Sequence, residues 1–562
     1  MAASDSLAPS PTRAWLRAHG AEIAAIALAT GWFLWLGHGA TLLPTRITWM
    51  LRYDWAAALW GFSFFRNAPL TWPLGSAPDL FHPFGTSVGF TDACPWAALL
   101  FRLLSPLLPS DFQYFGLWFW LCYVLQALVG TRITALSTDD RVQQALGGFL
   151  FALTPLLPAR HAHAALCGLF FVSAGLYLHL APVRDAAAAR KLVKLALVLS
   201  AWAAGTHGYL SVMLLALVLG MCARLALVER RLGMLEAALA ALAAVLVSVL
   251  VYALFGYIGW RPTALTAEGF GDFSADLNAL VNPQGWSRWL RALPHQPRQW
   301  EGFGYLGCGV LALLALRLGL WLAAPRAALR ALVRSWPLLL VVLAFTTYAL
   351  SSRVAWNGIP VLDLERAYAG LTQLTGVFRS SGRFVWLLHL TLLAAAISAA
   401  ARLFDRRLGR VLLLGAATAQ AIELDPSRLD FSPVALAEPP DPVWQTVGRS
   451  YRHLVLKPLH LLWVCRYDER LVHQLSYLAY HQKLSFNSGN FMRMQPQVEA
   501  LCERGFAPGE PLNPDTIYVI DPALRPQLEA RGARCGVLDG LLTCVSGERM
   551  TPLHDALLRH PA

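Results

Sequence analysis

The sequence predicts an α-helical polytopic membrane protein of about eleven transmembrane helices with a small α/β domain on its outer face. Hydrophobic residues make up 56% of the 562 residues and charged residues only 14%, and the mean hydropathy is +0.47. Long apolar runs recur from Ala21 to Ile422, and lipid is the solvent that suits such runs. The tail from Leu424 is charged, punctuated by proline and free of such runs. We therefore expect a transmembrane domain at 21–423 and an extracytoplasmic soluble domain at 424–562.

The net charge of +12 is distributed as a membrane protein requires. The basic residues lie in short clusters between the apolar runs, which is the pattern of the positive-inside rule. This distribution argues for membrane lipid as a partner and against nucleic acid. Residues 1–20 carry Arg13 and Arg17 and show no small-residue cleavage site, so we expect a cytoplasmic N-terminal segment and a retained first helix.

About eleven apolar segments are the predicted spans, several of them near the lower limit of the usual ~17–25 residues. In chain order they are Ala21–Ala40, Phe112–Ala135, Val142–Leu157, His163–Ala181, Lys191–Gly205, Tyr209–Val228, Gly233–Ile258, Gly304–Leu322, Trp336–Ser351, Phe384–Ala401 and Gly409–Ile422. The range Pro95–Leu108 is short and contains prolines near both ends. Treating it as a helix in the membrane interface places the basic clusters on one side, with the N-terminus inside and the C-terminus outside.

This topology places isolated polar residues on the outer side. The outer regions are loop 41–111 with its interfacial helices, the turns Arg160–His163 and Thr206–Tyr209, the loops Gly259–Phe303 and Ser352–Arg383, and the tail. Ionisable groups at membrane depth are costly unless they are paired or face water. We therefore treat those in these regions as candidate functional residues.

Two carboxylates of the first outer loop are the candidate catalytic residues. Asp54 begins an aromatic-rich run, and a carboxylate in a partly dehydrated groove can accept a proton from an acceptor hydroxyl. It could instead cap a helix or pair with Arg52. Asp92 could cap the helix that begins at Pro95, or it could act as a second carboxylate or a metal ligand.

Basic residues in the two short outer turns are candidates for binding phosphate. Arg160, His161 and His163 form a compact turn in which the arginine could make bidentate hydrogen bonds, although such a turn could also anchor the chain at the interface. His207 lies between two apolar runs, where a satisfied core histidine is the alternative. The histidine spacing does not predict a metal site.

The later outer loops add further candidates for binding substrate. Glu301 precedes a span and could bind the acceptor or pair with Arg298. Arg379 and Arg383 stand at the entrance of a span, against the positive-inside trend. They suit the growing negative charge of a phosphate or pyrophosphate leaving group, and the alternative is snorkelling towards lipid headgroups.

The tail contains a hairpin signal between Cys535 and Cys544, centred on the pair Asp539-Gly540. Pairing outward from that turn places the two cysteines opposite each other at a closely spaced position, which is compatible with a disulfide. Cys465 and Cys502 could compete as partners. A disulfide here fits an oxidising compartment.

Several short motifs, together with the order of spans and loops, carry a resemblance to known membrane proteins. The motifs are Trp72-Pro73-Leu74-Gly75, Phe90-Thr91-Asp92, Phe112-Gln113-Tyr114-Phe115-Gly116, Arg160-His161-Ala162-His163, Glu301-Gly302-Phe303-Gly304-Tyr305-Leu306-Gly307 and Ser381-Gly382-Arg383-Phe384. The acidic residue soon after the first span, the outer loop with two interfacial helices and the C-terminal outer domain resemble the GT-C superfamily of integral membrane glycosyltransferases. The chain is more closely similar to a bacterial family of multi-pass proteins without an assigned activity.

The GT-C resemblance implies a sugar donor linked to polyprenyl phosphate or pyrophosphate, used on the outer face of a bacterial inner (plasma) membrane. By position, Asp54 matches the base, and Arg379 or Arg383 matches the arginine that holds the donor phosphate. Some members of the superfamily need a divalent metal. This chain lacks the adjacent pair of acidic residues that several of them carry after the first span, so the cofactor stays open.

The sequence therefore favours transfer of a sugar from a polyprenyl-phosphate-linked donor to an extracytoplasmic glycan, lipid or protein. The alternative is a non-catalytic membrane protein, either a transporter of lipid or polysaccharide or a scaffold for assembly of the cell envelope. Charged residues are nearly absent from the predicted spans, which disfavours a continuous polar path through the membrane.

Overall fold

The computed structural model describes residues 11–258, 269–323, 325–491, 496–503, 505–506 and 511–561. Residues 259–268, at the start of the predicted loop Gly259–Phe303, lie outside the described residues. Helices dominate the chain up to Glu423, and a mixed sheet dominates beyond it.

The first half of the chain is helical apart from one two-stranded ribbon. Its helices are α1 (Pro11–Trp35), α2 (Tyr53–Asn67), α3 (Pro95–Leu103), α4 (Phe115–Ala135), α5 (Arg141–Ala152), α6 (Leu156–Ala159), α7 (Phe170–Leu180), α8 (Ala186–Ala204), α9 (Gly208–Ala223) and α10 (Met234–Leu254), and its strands are β1 (Ser76–Ala77) and β2 (Thr86–Ser87). Helix α4 packs on α1, α5 and α7. Gly147 and Gly148 of α5 lie against Thr134 and Thr131 of α4, so these helices approach closely.

The second half of the membrane domain continues with helices interrupted by one hairpin. The elements are α11 (Cys308–Ala323), α12 (Pro325–Arg334), α13 (Trp336–Leu350), β3 (Arg353–Trp356), β4 (Ile359–Asp363), α14 (Glu365–Tyr368), α15 (Thr372–Val377), α16 (Val385–Arg402) and α17 (Arg406–Glu423). The predicted outer loop Ser352–Arg383 contains the β3–β4 hairpin and two short helices, α14 and α15.

Among the residues that the structure describes, 5 helices are by length and composition able to cross a membrane: Phe115–Ala135, Arg141–Ala159, Gly208–Val228, Met234–Leu254 and Ser381–Arg402. Three shorter apolar helices are Ala164–Leu180, Cys308–Ala323 and Trp336–Leu350. These helices indicate a multi-pass membrane protein. The remaining predicted spans coincide with α1, α8 and α17, whose crossing of the membrane stays a prediction.

The predicted span His163–Ala181 corresponds to the apolar helix Ala164–Leu180, whose first turn is a 3-10 turn at Ala164–Cys167 and whose α-helix begins at Phe170. One predicted helix needs correction. The range Pro95–Leu108 is not one helix, since α3 ends at Leu103 and a 3-10 turn follows at Ser105–Leu107.

The tail forms a five-stranded sheet with helices around it. Its elements are β5 (His453–Lys457), α18 (Glu469–His481), β6 (Ser485–Phe486), β7 (Thr516–Ile520), α19 (Arg525–Glu529), β8 (Ala533–Leu538), β9 (Leu541–Ser546) and α20 (Pro552–Arg559). The strand order is β6-β5-β7-β9-β8, with β5 parallel to both of its neighbours and β9 antiparallel to both of its own. The mixed sheet agrees with the predicted α/β class.

The predicted hairpin is confirmed in its register. Cys535 pairs with Cys544, and the turn residues Asp539 and Gly540 have the positive φ angles of a tight two-residue turn. A disulfide joins Cys535 to Cys544, and Cys465 and Cys502 form a second one with each other rather than competing for these partners. The two disulfides are consistent with an extracytoplasmic location of the tail.

The tail packs directly on loop 41–111. Phe486 of β6 donates its N–H to the carbonyl of Asp79 (2.8 Å) and accepts from the N–H of His82 (3.0 Å), so the loop adds backbone pairing at the edge of the sheet. On α18, His473 Nδ1 accepts from the indole of Trp60 on α2 (3.2 Å). This contact surface brings a segment of the tail next to Asp54.

Candidate functional site

Six charged side chains from separate segments meet in one ionic cluster. The cluster consists of Asp54 at the start of α2, Asp92 before α3, Arg160 and His163 in the turn after α6, Glu301 in the 3-10 turn Gln299–Gly302, and Arg383 in the 3-10 turn before α16. Asp54 and Arg383 are therefore linked through His163 and Glu301. This arrangement brings together most of the residues that the sequence proposed as catalytic or substrate-binding.

Glu301 is clamped between two buried arginines. Arg160 donates through Nη1 to Oε2 (2.9 Å), and Arg383 donates through Nε to Oε2 (2.8 Å) and through Nη2 to Oε1 (2.5 Å). Burial favours a neutral Glu301, but both arginines hold the pKa of that carboxyl well below its usual range. Burial lowers the pKa of Arg160 to about 10, against the pull of Glu301. The clamp therefore stays ionic at neutral pH and fixes three segments to one another.

The clamp bears on two expectations from the sequence: the pairing of Glu301 with Arg298, and the binding of phosphate by Arg160 and Arg383. Arg298 pairs with Asp272 (3.4 Å) and not with Glu301. Arg160 and Arg383 direct donors to Glu301 and to the carbonyl of Trp300, which accepts from Arg160 Nη2 (2.6 Å), whereas Arg160 Nε is buried without a hydrogen-bond partner among the described residues. Both guanidiniums already share a carboxylate partner in this arrangement, and their binding of phosphate stays a prediction.

His163 lies between the three carboxylates. Its Nδ1 is 3.2 Å from Asp92 Oδ2 and 3.5 Å from Asp54 Oδ2, and its Nε2 is 3.7 Å from Glu301 Oε1. Burial alone would lower the pKa of His163, but Asp54 and Asp92 outweigh burial and raise it. Three carboxylates then face two guanidiniums and an imidazole that favours its charged form, so the cluster is close to electrically balanced.

Asp92 is not a helix cap. The residue before α3 that would cap it is Cys94, and no side chain caps the helix there. Instead Asp92 makes the hydrogen bond to His163, and this contact lowers the pKa of Asp92 although burial would raise it. Asp92 has a φ of 59°, a left-handed conformation that aspartate tolerates better than most residues.

Asp54 is the carboxylate of the cluster that is most open to a ligand. Its side chain is 17% exposed, against 8% for Asp92 and 4% for Glu301. It does not cap α2, whose capping position is Arg52 without a side-chain hydrogen bond, and Arg52 pairs with Asp430 instead. The Oδ1 atom of Asp54 accepts a hydrogen bond from Asn490 Nδ2 (3.0 Å).

Asn490 belongs to the tail, and the sequence analysis missed it. The segment that carries it is held by Asn487, whose side chain accepts from the N–H and donates to the carbonyl of Leu456 (both 2.9 Å). Ser488 Oγ also accepts from the N–H of His460 (3.2 Å). The only sequence signal is a run of small polar residues after Phe486, which by itself does not point to a particular partner.

His207 lies at the margin of the cluster, and Arg379 precedes Arg383 by four residues. His207 Nε2 is 3.5 Å from Asp92 Oδ1, but its Nδ1 caps α9 by accepting from the N–H of Tyr209, and burial lowers the pKa of His207 to about 4. It is therefore a neutral structural histidine at neutral pH. Arg379 is half-buried, and its side chain makes no ion pair or hydrogen bond with the residues that the structure describes.

His161 does not join the charged residues, contrary to the sequence interpretation of the turn. It lies in an aromatic cluster with His38, Phe119, Tyr123 and Phe431. The ring stacks on Phe119 with centroids 4.9 Å apart, and Nε2 is 3.2 Å from the hydroxyl of Tyr123. Burial lowers the pKa of His161 to about 3. A neutral ring in an apolar setting is not suited to binding a phosphate.

Among the described ranges of the chain, no group of three His, Cys, Asp or Glu residues is arranged to hold a metal ion.

Fold and cluster together define a multi-pass membrane protein with a polar site where the helical domain meets a disulfide-bonded tail. The chain belongs to the family described as domain of unknown function DUF6311, whose model matches residues 26–425. The DUF6311 C-terminal domain matches residues 443–546, which agrees with the change from helices to sheet beyond Glu423. No curated protein matches the chain. The family descriptions state no activity, so the resemblance to GT-C enzymes stays a prediction.

Proposed function

We propose that this protein is a membrane glycosyltransferase that transfers a sugar from a polyprenyl-phosphate-linked donor to an extracytoplasmic acceptor. The observation that carries the proposal is Asp54, a partly exposed carboxylate held by an amide on one oxygen and an imidazole beside the other. Such a carboxylate is pre-oriented and still reachable, as a general base must be. It also lies at the boundary between two domains, where ligand sites commonly form.

In the proposed reaction Asp54 accepts the hydroxyl proton of the acceptor. The acceptor oxygen attacks the anomeric carbon of the donor sugar, and the bond from that carbon to the phosphate oxygen breaks with its electron pair leaving on the phosphate. Arg379, which has no charged partner among the described residues, is the arginine best suited to stabilise the departing phosphate. Direct displacement of this kind inverts the anomeric centre.

The remaining charged residues have supporting roles in this proposal. His163 stands between Asp54 and Asp92 and balances their charges in a largely buried setting. The Arg160–Glu301–Arg383 clamp fixes the turn that carries His163 relative to the segment that carries Arg379. These residues position the site and do not themselves contact the reacting atoms.

A test uses purified protein in lipid nanodiscs with polyprenyl-phosphate hexoses carrying radiolabelled sugars. Release of label from the lipid and its appearance on an acceptor measure transfer. We expect Asp54→Asn to lower the rate at least ~100-fold, the loss typical of removing a general base, with unchanged protein yield. Asp430→Asn is the matched control, because Asp430 is an exposed carboxylate outside the cluster. Full activity of Asp54→Asn would exclude Asp54 as the base.

The second candidate is a non-catalytic scaffold or transporter of the cell envelope. The internal pairing of Arg160 and Arg383 with Glu301 favours it, because fully paired buried ions also serve as purely structural ties. Under this candidate no donor is consumed, whereas loss of the tail or of the clamp impairs envelope assembly in cells. Donor turnover by wild-type protein distinguishes the two candidates.

A further inference from the structure

The segment that carries Glu301 also contains an aromatic residue, Trp300, to which the proposed reaction gives no role. Trp300 lies in the 3-10 turn Gln299–Gly302, directly before the clamped Glu301. Its side chain is 44% exposed although its neighbour Glu301 is buried. An exposed indole beside a buried ionic cluster forms part of the wall that a ligand of that cluster meets first.

Both the backbone carbonyl and the ring of Trp300 contact neighbouring residues. Its carbonyl accepts hydrogen bonds from Arg160 Nη2 (2.6 Å) and from the N–H of Phe303 (3.2 Å). Its ring lies nearly parallel to that of His163, with an interplanar angle of 8° and centroids 6.4 Å apart, and Phe273 packs edge-on at 6.3 Å. The ionic clamp thus holds the indole in a defined orientation before any ligand binds.

Trp300 and Asp54 approach the same imidazole from different directions. Asp54 Oδ2 lies 3.5 Å from His163 Nδ1, and the Trp300 ring lies parallel to the His163 ring with centroids 6.4 Å apart. Trp300 and Asp54, the most accessible carboxylate of the cluster, therefore share His163 as a common neighbour. The indole N–H has no hydrogen-bond partner among the described residues and remains free to donate to a ligand.

We propose that Trp300 is the platform of a subsite for a neutral pyranose ring. The face of an aromatic ring carries negative potential and attracts polarised C–H groups, which a pyranose presents on its flatter side. The hydroxyl groups at the rim of such a ring can donate to carboxylate oxygens, and Asp54, the most exposed carboxylate of the cluster, disfavours an anionic sugar beside it. This subsite rests on the proposed function for the identity of the substrate, but binding can be measured without transfer.

The experiment compares three variants of the full-length protein in lipid nanodiscs. Trp300→Leu removes the aromatic face and keeps apolar volume, Trp300→Phe keeps an aromatic face, and Trp289→Leu removes another exposed tryptophan (51%) of the same loop. Saturation-transfer NMR measures binding of methyl glucopyranoside, methyl galactopyranoside and methyl mannopyranoside, with glucuronate as the anionic comparison. The KM and kcat of sugar transfer are measured in parallel.

We expect Trp300→Leu to weaken binding of at least one neutral pyranoside, or to raise the KM for the donor, by about tenfold with a smaller change in kcat. Trp300→Phe keeps most of the affinity, and Trp289→Leu stays within about twofold of wild type. Glucuronate binds more weakly than the neutral sugars. An equal loss in Trp300→Leu and Trp289→Leu would mean that both indoles only anchor the protein at the membrane surface, and it would overturn the proposal.

The two proposals fail in different ways. Pyranoside binding that depends on Trp300, without consumption of any donor, removes the transferase and keeps the subsite. Donor consumption with the same KM and the same pyranoside binding in wild type and Trp300→Leu removes the subsite and keeps the transferase. A wild-type protein that neither binds pyranosides nor consumes donor overturns both.

Discussion

His161 and His163 lie two residues apart in one turn, yet they stand in opposite environments. His163 faces the ionic cluster, where Asp54 and Asp92 raise its pKa against the effect of burial. His161 faces the aromatic cluster, where burial lowers its pKa to about 3. The comparison shows that the neighbours of a buried imidazole, rather than its burial, decide whether it carries charge.

The same contrast separates the residues of the proposed reaction from those that pack around them. The ionic cluster contains a partly exposed carboxylate and lies beside an exposed indole, so a ligand can reach it. The aromatic cluster is closed by Phe431, whose ring packs against both His38 and Trp55. The proposed chemistry therefore belongs to the His163 side of the turn, and the His161 side packs against aromatic rings.

The largest effect on the free energy of unfolding is expected from a substitution that removes the charge of Glu301. Glu301→Gln leaves Arg160 and Arg383 buried with one charged partner removed, which typically costs about 3–5 kcal/mol in the free energy of unfolding. Glu365→Gln removes the partner of Arg353 in an exposed pair and is expected to cost less than ~1 kcal/mol. Urea unfolding in mixed micelles, followed by circular dichroism, compares the two. Similar losses of unfolding free energy in both variants would show that the buried ion pairs of Glu301 stabilise the fold no more than an exposed ion pair does.

Replacing each histidine of the turn by phenylalanine tests the comparison directly. His163→Phe leaves Asp54 and Asp92 without the imidazole between them and should cost about 3 kcal/mol, near the lower end for a broken buried pair. His161→Phe keeps a ring of similar size among aromatic neighbours and should cost less than ~1.5 kcal/mol. The same unfolding assay measures both variants. The reverse order of the two losses would contradict the assignment of charge.

His161 and His163 should change the free energy of unfolding in opposite directions as the pH is varied. Between pH 6.5 and about 3 an unfolded chain binds a proton at His161 that the folded chain excludes, so stability falls as the pH falls through this window. His161→Phe removes this loss, which amounts to at most ~1.4 kcal/mol per pH unit. The raised pKa of His163 contributes stability that is fully present below pH 6.5 and is lost as the pH rises through the folded pKa. His163→Phe should therefore flatten the alkaline side, and unfolding curves at a series of pH values measure both slopes.

The smallest effect on stability is expected at the contact between Asp54 and the tail. Asn490→Ala removes one hydrogen bond and should cost about 1 kcal/mol. Transfer should fall further than this loss implies, because Asp54 loses its orientation. Asn490→Asp should also lower transfer, since it replaces the hydrogen-bond donor to Asp54 by a second carboxylate that repels it. Asn67→Ala loses a contact to the carbonyl of Tyr480 in the same domain interface and provides the control.

The residues of the ionic cluster could be predicted from the sequence because charge is scarce in this chain. Isolated ionisable residues near the ends of apolar runs are conspicuous, and placing them on one side of the membrane brings them together. The Cys535–Cys544 hairpin was equally predictable, since its turn and register depend on neighbouring residues alone.

The other contacts depend on packing between distant segments, which local patterns do not encode. Asn490 reaches Asp54 only because Phe486 pairs with the backbone of loop 41–111. The neutral state of His161 depends on aromatic neighbours from several segments, including Phe431. The partner of Arg52 is Asp430, which is distant in the sequence. The partner of Arg298 is Asp272, and sequence spacing does not distinguish it from other acidic residues.

The pairing of Phe486 with residues 79–82 also has a consequence for handling the tail as a separate fragment. An open strand edge is a template on which identical chains stack, and here the membrane domain supplies the cover for β6. A fragment expressed without that cover should dimerise or precipitate through this edge. A lysine at the exposed strand, or a short peptide copying residues 78–84 added in trans, should keep such a fragment monomeric in size-exclusion chromatography.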